Sequence, residues 1–170
     1  MIVEGRVIAV CTSENKGTRK ANVGRACLKA GWGIEGDAHA GAWHRQVSLL
    51  AIESIEKMRA KGLDVGPGDF AENITTEGLV LYELPIGTQL TVGGALVEVT
   101  QIGKICHDRC AIYYLAGDCV MPREGIFVRV LRGAEISEGD TIQLLSSEEA
   151  DAAPQGSAES QPATPSQADG

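Results

Sequence analysis

The segment QLTVGGALVEVTQI, residues 89–102, carries the clearest structural pattern in the sequence. Two runs rich in valine, leucine and threonine flank the pair Gly93-Gly94. A two-glycine connection suits a tight hairpin turn, and the flanking runs have the composition of strands. The sequence therefore predicts an antiparallel hairpin with strands over 89–92 and 95–102.

Short runs of similar composition lie on both sides of this hairpin. They predict strands at 2–11, 26–28, 47–50, 70–76, 126–131 and 141–145. The glycine-bounded segment 133–139 is predicted to be a turn. Many short strands with one firm helix indicate a mostly β fold, a β-barrel with a few helical insertions.

The predicted helix covers residues 51–61. Ala51, Ile55 and Met58 recur at helical spacing and form its apolar face. On the opposite side, Glu53 and Lys57 are four residues apart, and this spacing predicts an ion pair. Gly62 is expected to end the helix.

The segment GKICHDRC, residues 103–110, directly follows the second strand of the hairpin. Residues 111–115 predict a short helix, so Cys106 precedes a helix N-terminus, where backbone N–H groups are unpaired. Three basic side chains lie near it in sequence: Lys104, His107 and Arg109. These features favour a thiolate, and we expect Cys106 to be the most reactive thiol.

Two other interpretations of the cysteines stay open. One is a structural zinc site made by Cys106, His107, Cys110 and Cys119, although this spacing is not that of a common zinc ribbon. The other is a non-catalytic interaction module with inert thiols. Cys11 and Cys27 lie in strand-like apolar runs, so we expect burial to keep both protonated and slow to react.

A glycine-rich, irregular segment covers residues 31–46, and long irregular segments inside compact domains are often binding loops. Asp37, His39 and His44 lie in it, but their spacing matches no common zinc pattern. Arg45 is the better candidate, because its planar guanidinium suits a phosphate or carboxylate group.

Composition separates a domain, residues 1–146, from a tail, residues 147–170. The tail lacks aromatic and aliphatic β-branched residues, so we predict that it is disordered. Five of the 23 acidic residues and none of the 15 basic ones fall in the tail, which leaves the domain a formal charge of −3. Dispersed basic residues and a negative total argue against a nucleic-acid surface.

No apolar run reaches the roughly 18 residues needed to span a bilayer, and the N-terminus has no signal-peptide pattern. We therefore expect a cytoplasmic protein without membrane partners. Five cysteines in such a chain point to thiol chemistry or metal binding rather than a disulfide scaffold.

Four separated blocks resemble the MOSC domain, the domain similar to the C-terminal part of molybdenum-cofactor sulfurases. The blocks are GIEGD (33–37), HRQVSLL (44–50), GDFAENI (68–74) and GKICH (103–107). The resemblance covers roughly residues 1–146 and is strongest to the short, single-domain bacterial type. It implies a β-barrel with a cysteine that handles sulfur or meets the molybdenum centre.

Carried onto this sequence, the resemblance places the reactive cysteine at Cys106, either as persulfide carrier or as molybdenum ligand. It implies a molybdopterin site that includes Asp37, Arg45, Glu72, Asn73, Lys104, His107 and Arg109. Lys16 or Arg19 would assist Arg45 in holding the cofactor phosphate. Asp37, Glu72 and Asn73 would hydrogen-bond the pterin ring.

The resemblance also implies partners. The chain has no room for the pyridoxal-phosphate desulfurase that is fused in larger sulfurases. We therefore expect a separate cysteine desulfurase as sulfur donor and a molybdoenzyme or its cofactor as acceptor.

The tail is predicted to be dispensable for folding, because it has too little apolar surface to offset the entropy of ordering it. Truncation at Ser147 should leave the thermal unfolding midpoint unchanged. A fall of many degrees would contradict this prediction.

Overall fold

The computed structural model describes residues 4–16, 18–103 and 121–145, and in this part of the chain it contains eleven strands and three short helical segments. The strands are β1 (Glu4–Thr12), β2 (Ala21–Asn22), β3 (Arg25–Lys29), β4 (Gly33–Ile34), β5 (Val47–Ala51), β6 (Ile74–Glu77), β7 (Gln89–Val92), β8 (Ala95–Ile102), β9 (Ile126–Arg132), β10 (Ala134–Ser137) and β11 (Thr141–Leu144). The helical segments are α1 (Ile52–Arg59), a 3-10 turn (Leu81–Glu83) and α2 (Met121–Glu124).

Seven of the strands close into a barrel. Their order around it is β1, β11, β7, β8, β9, β5 and β6, and β6 pairs again with β1. Every pairing is antiparallel except the parallel contact of β5 with β6. Closure leaves no unpaired edge in this ring, since each strand has two hydrogen-bonded neighbours. The predicted β-barrel class is confirmed.

The predicted hairpin is present with the predicted bounds. Leu90 pairs with Val97, and Val92 with Ala95, across the turn at Gly93-Gly94. Gly93 has a φ of 57°, and a Cβ there would come within 2.6 Å of the Asp140 carboxylate. Glycine is therefore required at the turn for both reasons.

Successive side chains along a strand point to opposite faces of the sheet, and this alternation produces two separate apolar clusters. The larger fills the barrel interior, with Leu49, Ile74, Val97 and Val128 among its fully or almost fully buried members. The smaller lies outside the barrel wall beneath α1, and its members are Leu50, Ile55, Met58, Val65, Phe70, Met121 and Phe127. Phe127 therefore points away from the barrel interior, while its neighbours in β9 point into it.

Helix α1 is shorter than predicted but buries the predicted residues Ile55 and Met58. The ion pair predicted between Glu53 and Lys57 is wrong. Glu53 accepts a hydrogen bond from the Gly78 amide at 2.9 Å, and Lys57 binds Glu124 at 2.9 Å. Glu53 and Lys57 thus each contact a residue that is distant in the sequence, and these contacts replace the local i,i+4 ion pair.

A second, three-stranded sheet has the order β10, β3, β4. It corrects the prediction for residues 133–139, because Ala134–Ser137 pairs with β3 instead of forming only a turn. It also shows that the expected burial of Cys27 is wrong: Leu28 is buried, and Cys27 faces solvent on the other side of the same strand.

In the described ranges, no helix is both long and apolar enough to cross a membrane.

Candidate functional site

A buried carboxylate organises the glycine-rich segment. Asp37 Oδ1 accepts hydrogen bonds from Lys20 Nζ at 2.8 Å and from the Ser13 amide at 3.0 Å, and Oδ2 accepts one from the His39 amide at 2.9 Å. The side chains of Asp37 and Lys20 are both 0% exposed. Burial alone raises the pKa of Asp37, but the hydrogen bonds from Lys20 and the two amides outweigh it, so this pKa lies below its usual range.

Lys20 connects this carboxylate to two other loops. Its ammonium group also donates to the Ser13 hydroxyl at 2.9 Å, and its backbone amide donates to the Gly68 carbonyl at 2.8 Å. Gly68 has a φ of +89°, and a Cβ there would lie 2.1 Å from the Lys20 carbonyl oxygen. The loops that follow β1, β4 and α1 therefore meet at Lys20.

Arg45 lies between two aromatic rings. Its guanidinium carbon is 4.9 Å from the Trp43 ring centroid and 5.1 Å from that of Phe127. Lys16 Nζ lies 4.6 Å from the same Trp43 centroid. We call Lys16, Trp43 and Arg45 the cation–π cluster. Among the described residues, no carboxylate forms an ion pair with Arg45.

Hydrogen bonds orient the aromatic member of the cluster. The Trp43 indole N–H donates to the His39 carbonyl at 2.8 Å, and the His39 ring lies parallel to it with centroids 6.4 Å apart. The His44 ring packs edge-on against Trp43 with centroids 6.0 Å apart, and its Nε2 lies 2.8 Å from Gln101 Oε1 on β8. The Thr100 hydroxyl donates to the His44 carbonyl and so ties this loop to β8.

The two bases proposed to assist Arg45 are in different situations. Lys16 shares Trp43 with Arg45, whereas Arg19 lies 3.7 Å from Asp69 in an exposed ion pair. The geometry therefore favours Lys16 as the second cation.

Glu72 is fully buried and holds its own loop together. Its carboxylate accepts hydrogen bonds from the Gly68 amide at 2.8 Å, the Phe70 amide at 3.2 Å and the Thr75 hydroxyl at 2.7 Å. Burial raises the pKa of Glu72, and these donors offset the rise in part. Ala71 is held at a φ of 64° within this loop, which is rare for a residue other than glycine.

Asn73 is also fully buried and links three strands. Its Oδ1 accepts from the Ser48 amide at 2.9 Å and from the Ser48 hydroxyl at 3.2 Å, and its Nδ2 donates to the Cys11 carbonyl at 3.1 Å. Every hydrogen bond seen for Glu72 and Asn73 is thus within the chain. Their predicted contact with a pterin ring stays a prediction, and the role that is visible for both side chains is structural.

Asp37, His39 and His44 do not converge on a metal position. Asp37 Oδ2 is 3.9 Å from His39 Nδ1, and His44 is directed to Gln101. Within the ranges that the structure describes, no group of three or more His, Cys, Asp or Glu side chains is placed to hold a metal ion.

The predicted residues Lys104, Cys106, His107, Arg109, Cys110 and Cys119 lie outside the described residues. The chain on either side of them is anchored, because the Gly103 amide donates to the Gly125 carbonyl at 2.6 Å. Gln101 Nε2 also donates to the Gly103 carbonyl at 2.8 Å. Of the described thiols, Cys11 is buried as predicted, and burial together with nearby Glu72 raises its pKa to about 12.

Comparison with known proteins decides the family. The sequence model of the MOSC domain family matches residues 36–143, which is more than half of the chain. The chain belongs to the MOSC family. MOSC domains are associated with the molybdenum cofactor, so this is a MOSC protein related to that cofactor in general terms.

Solved MOSC-type structures share the fold. YuaD from Bacillus subtilis is similar with a TM-score of 0.71 and 18% identity, covering 85% of this chain and 97% of YuaD. YiiM from Geobacillus stearothermophilus gives a TM-score of 0.63 and 19% identity, covering 84% of this chain and 75% of YiiM. YiiM from Escherichia coli gives a TM-score of 0.58 and 22% identity, covering 83% of this chain and 70% of that YiiM. No curated protein sequence matches the chain.

Sequence reasoning named Arg45 and Asp37 but missed their partners. Trp43 is two residues before Arg45, and an aromatic residue among bases in a glycine-rich segment is a signal for a cation–π contact. Phe127 gave no comparable signal, because it reaches the site from a distant part of the chain. Lys20 lies in a loop with two other bases, Lys16 and Arg19, and nothing in that pattern indicates a buried ion pair with Asp37.

Replacing Asp37 by Asn should destabilise the protein by about 3–5 kcal/mol at neutral pH, since it leaves the buried Lys20 ammonium without a counter-charge. The pKa of Asp37 is lowered in the folded state, so its contribution is present above the unfolded pKa of about 3.9 and is lost as pH falls through the folded pKa. Urea unfolding of both proteins should show their difference shrinking as pH is lowered below about 4. A pH-independent difference would contradict the ion pair.

Proposed function

We propose that this MOSC protein binds the molybdenum cofactor through the cofactor phosphate at Arg45 and Lys16 and handles sulfur at Cys106. The observation that carries the proposal is the state of Arg45. Its guanidinium carbon lies 4.9 Å and 5.1 Å from two ring centroids, and no carboxylate among the described residues neutralises it.

The two aromatic rings offer no oxygen acceptor to the N–H groups of Arg45. Aromatic rings interact with the flat faces of Arg, while its five N–H donors lie in the guanidinium plane. No described hydrogen bond uses the donors of Arg45. A planar, two-pronged group of this kind matches the oxygen atoms of a phosphate.

The second cation supports an anionic ligand. Lys16 is exposed and lies over the same indole as Arg45, so two cationic side chains border one ring in a chain whose formal charge is −8. An anion within reach of either cation gains a favourable Coulomb interaction. A phosphate monoester carries such a charge, so the residues present fit the phosphate of the cofactor.

Chain connectivity supports the choice of Cys106. Gly103, three residues before Cys106 in the sequence, accepts a hydrogen bond from the Gln101 side chain, and Gln101 contacts His44, the neighbour of Arg45. The described chain that leads to Cys106 therefore ends beside the loop that carries the proposed phosphate site.

The sulfur step that we propose is an exchange without net oxidation. The Cys106 thiolate attacks the outer sulfur of a persulfide on a cysteine desulfurase, a new S–S bond forms on Cys106, and the S–S bond of the donor breaks to release its thiolate. Lys104, His107 and Arg109 would stabilise the Cys106 thiolate. A molybdoenzyme or its cofactor would accept the sulfur.

When bound, the cofactor would supply a molybdenum atom for which a soft thiolate such as Cys106 is a suitable ligand. The protein residues would hold the phosphate and keep the thiol within reach.

Arg45→Lys should weaken molybdopterin binding, because Lys keeps the charge but loses the planar fork. Loss of one charge-assisted hydrogen bond, about 1.5–3 kcal/mol, corresponds to a Kd increase of roughly ten- to hundredfold. Arg19→Lys is the control, since Arg19 is exposed and paired with Asp69. Equal affinity of the Arg45→Lys protein and its parent would refute the phosphate role.

Cys106 should be the first thiol to react with limiting iodoacetamide at about pH 6.5, roughly two units below an ordinary thiol pKa. Peptide mapping gives the order, and Cys27 is the internal comparison because it is exposed. Incubation with a cysteine desulfurase and cysteine should add one sulfur to the parent and to Cys27→Ser, and none to Cys106→Ser. Equal labelling, or sulfur uptake by Cys106→Ser, would favour an interaction module. Stoichiometric zinc in the purified protein would favour the structural metal site.

A further inference from the structure

The buried pair of Lys20 and Asp37 lies between the two loops that supply the cation–π cluster. The first loop runs from Ser13 to Lys20 and carries Lys16. The second begins at Asp37 and carries Trp43 and Arg45 before β5 starts. Each loop is irregular, so neither has a ladder of backbone hydrogen bonds that would fix its position.

Three hydrogen bonds join the loops directly. Lys20 Nζ and the Ser13 amide both donate to Asp37 Oδ1, at 2.8 and 3.0 Å, and the Ala38 amide donates to the Ser13 carbonyl at 2.9 Å. The first two end on the same carboxylate oxygen. The separation of the loops therefore depends on Asp37 more than on any other side chain at this junction.

A role in general stability explains the pair poorly. Removing two charges from water is costly, and well-packed apolar residues often replace a buried ion pair without loss of stability. What an ion pair provides that apolar side chains do not is a fixed geometry between two specific points of the chain.

We infer that Lys20 and Asp37 are positioning residues, which hold the two loops at the separation where Lys16 and Arg45 share the Trp43 ring. The inference rests on the proposed function, in which this cluster binds an anion. Without the pair, the cluster-forming arrangement becomes one of several, and the apparent affinity falls in proportion to its population.

The chain allows a direct optical test. It has two tryptophans, Trp32 and Trp43, and Trp32 is exposed outside the cluster. In a Trp32→Phe background, fluorescence reports Trp43 alone. The test variant carries Lys20→Met and Asp37→Asn, which removes both buried charges and leaves neither unpaired. The control carries Lys29→Met and Glu35→Gln, which removes an exposed ion pair two residues away from Asp37.

Two quantities are measured: the Kd for inorganic phosphate, and the ratio of iodide to acrylamide quenching of Trp43. Cations beside the indole attract iodide but not neutral acrylamide, so the ratio reports Lys16 and Arg45 even without a bound ligand. The test variant should bind phosphate about tenfold more weakly and lose the preference for iodide. The control should match the parent in both.

A folded test variant, shown by circular dichroism, with the phosphate affinity and iodide preference of the parent would overturn the inference. Should the parent itself not bind phosphate, the proposed function fails, and the quenching ratio still decides the positioning role. Should the test variant not fold, Asp37→Glu replaces it, since it keeps both charges of the pair and changes the length of one side chain by a methylene group. Asp37→Glu should weaken phosphate binding by about threefold and lower the quenching ratio, and unchanged values would overturn the inference.

Discussion

A carboxylate and an ammonium group meet at 2.8 Å where water does not reach, and three loops are arranged around that contact. Asp37 and Lys20 offset the cost of their burial only because backbone amides and the Ser13 hydroxyl complete their hydrogen bonds. The Lys20 backbone then binds Gly68 and extends the junction to a third loop. This junction joins the loop that carries Lys16 to the loop that carries Arg45, whose other contacts are with β8 and β9.

The sequence blocks that mark the MOSC family serve two physical purposes here. In GDFAENI, the hydrogen bonds of Glu72 and Asn73 are made within the chain. Glu72 holds the loop in which Ala71 has a left-handed conformation, and Asn73 connects β5 to β1. In HRQVSLL, by contrast, the N–H donors of Arg45 bind none of the described acidic residues. Membership in a family motif therefore does not by itself distinguish a residue that contacts a ligand from one that supports the structure. The number of hydrogen bonds that each side chain makes within the chain helps to distinguish the two.

The fold could be predicted because it follows from local sequence patterns. The site could be predicted only in part, because it depends on contacts between residues that are far apart in the sequence. The hairpin at 89–102 and helix α1 follow from period-two and period-3.6 patterns with glycine at their ends. Strand β10 escaped prediction because its partner β3 is far away in the sequence. The burial predicted for Cys27 was wrong because neighbouring residues of a strand face opposite sides, so that Cys27 is exposed while Leu28 is buried. The ion pair of Lys20 and Asp37 joins two irregular segments, where no periodicity signals a contact.

The proposed oxyanion site is the guanidinium of Arg45, which shares the Trp43 ring with Lys16. A crystal structure of the protein with tungstate tests it, because anomalous scattering locates the tungsten atom. We expect a tungsten peak with tungstate oxygens within hydrogen-bonding distance of Arg45 and Lys16. A peak elsewhere with this cluster empty, or Arg45 paired with a carboxylate of its own chain, would contradict it.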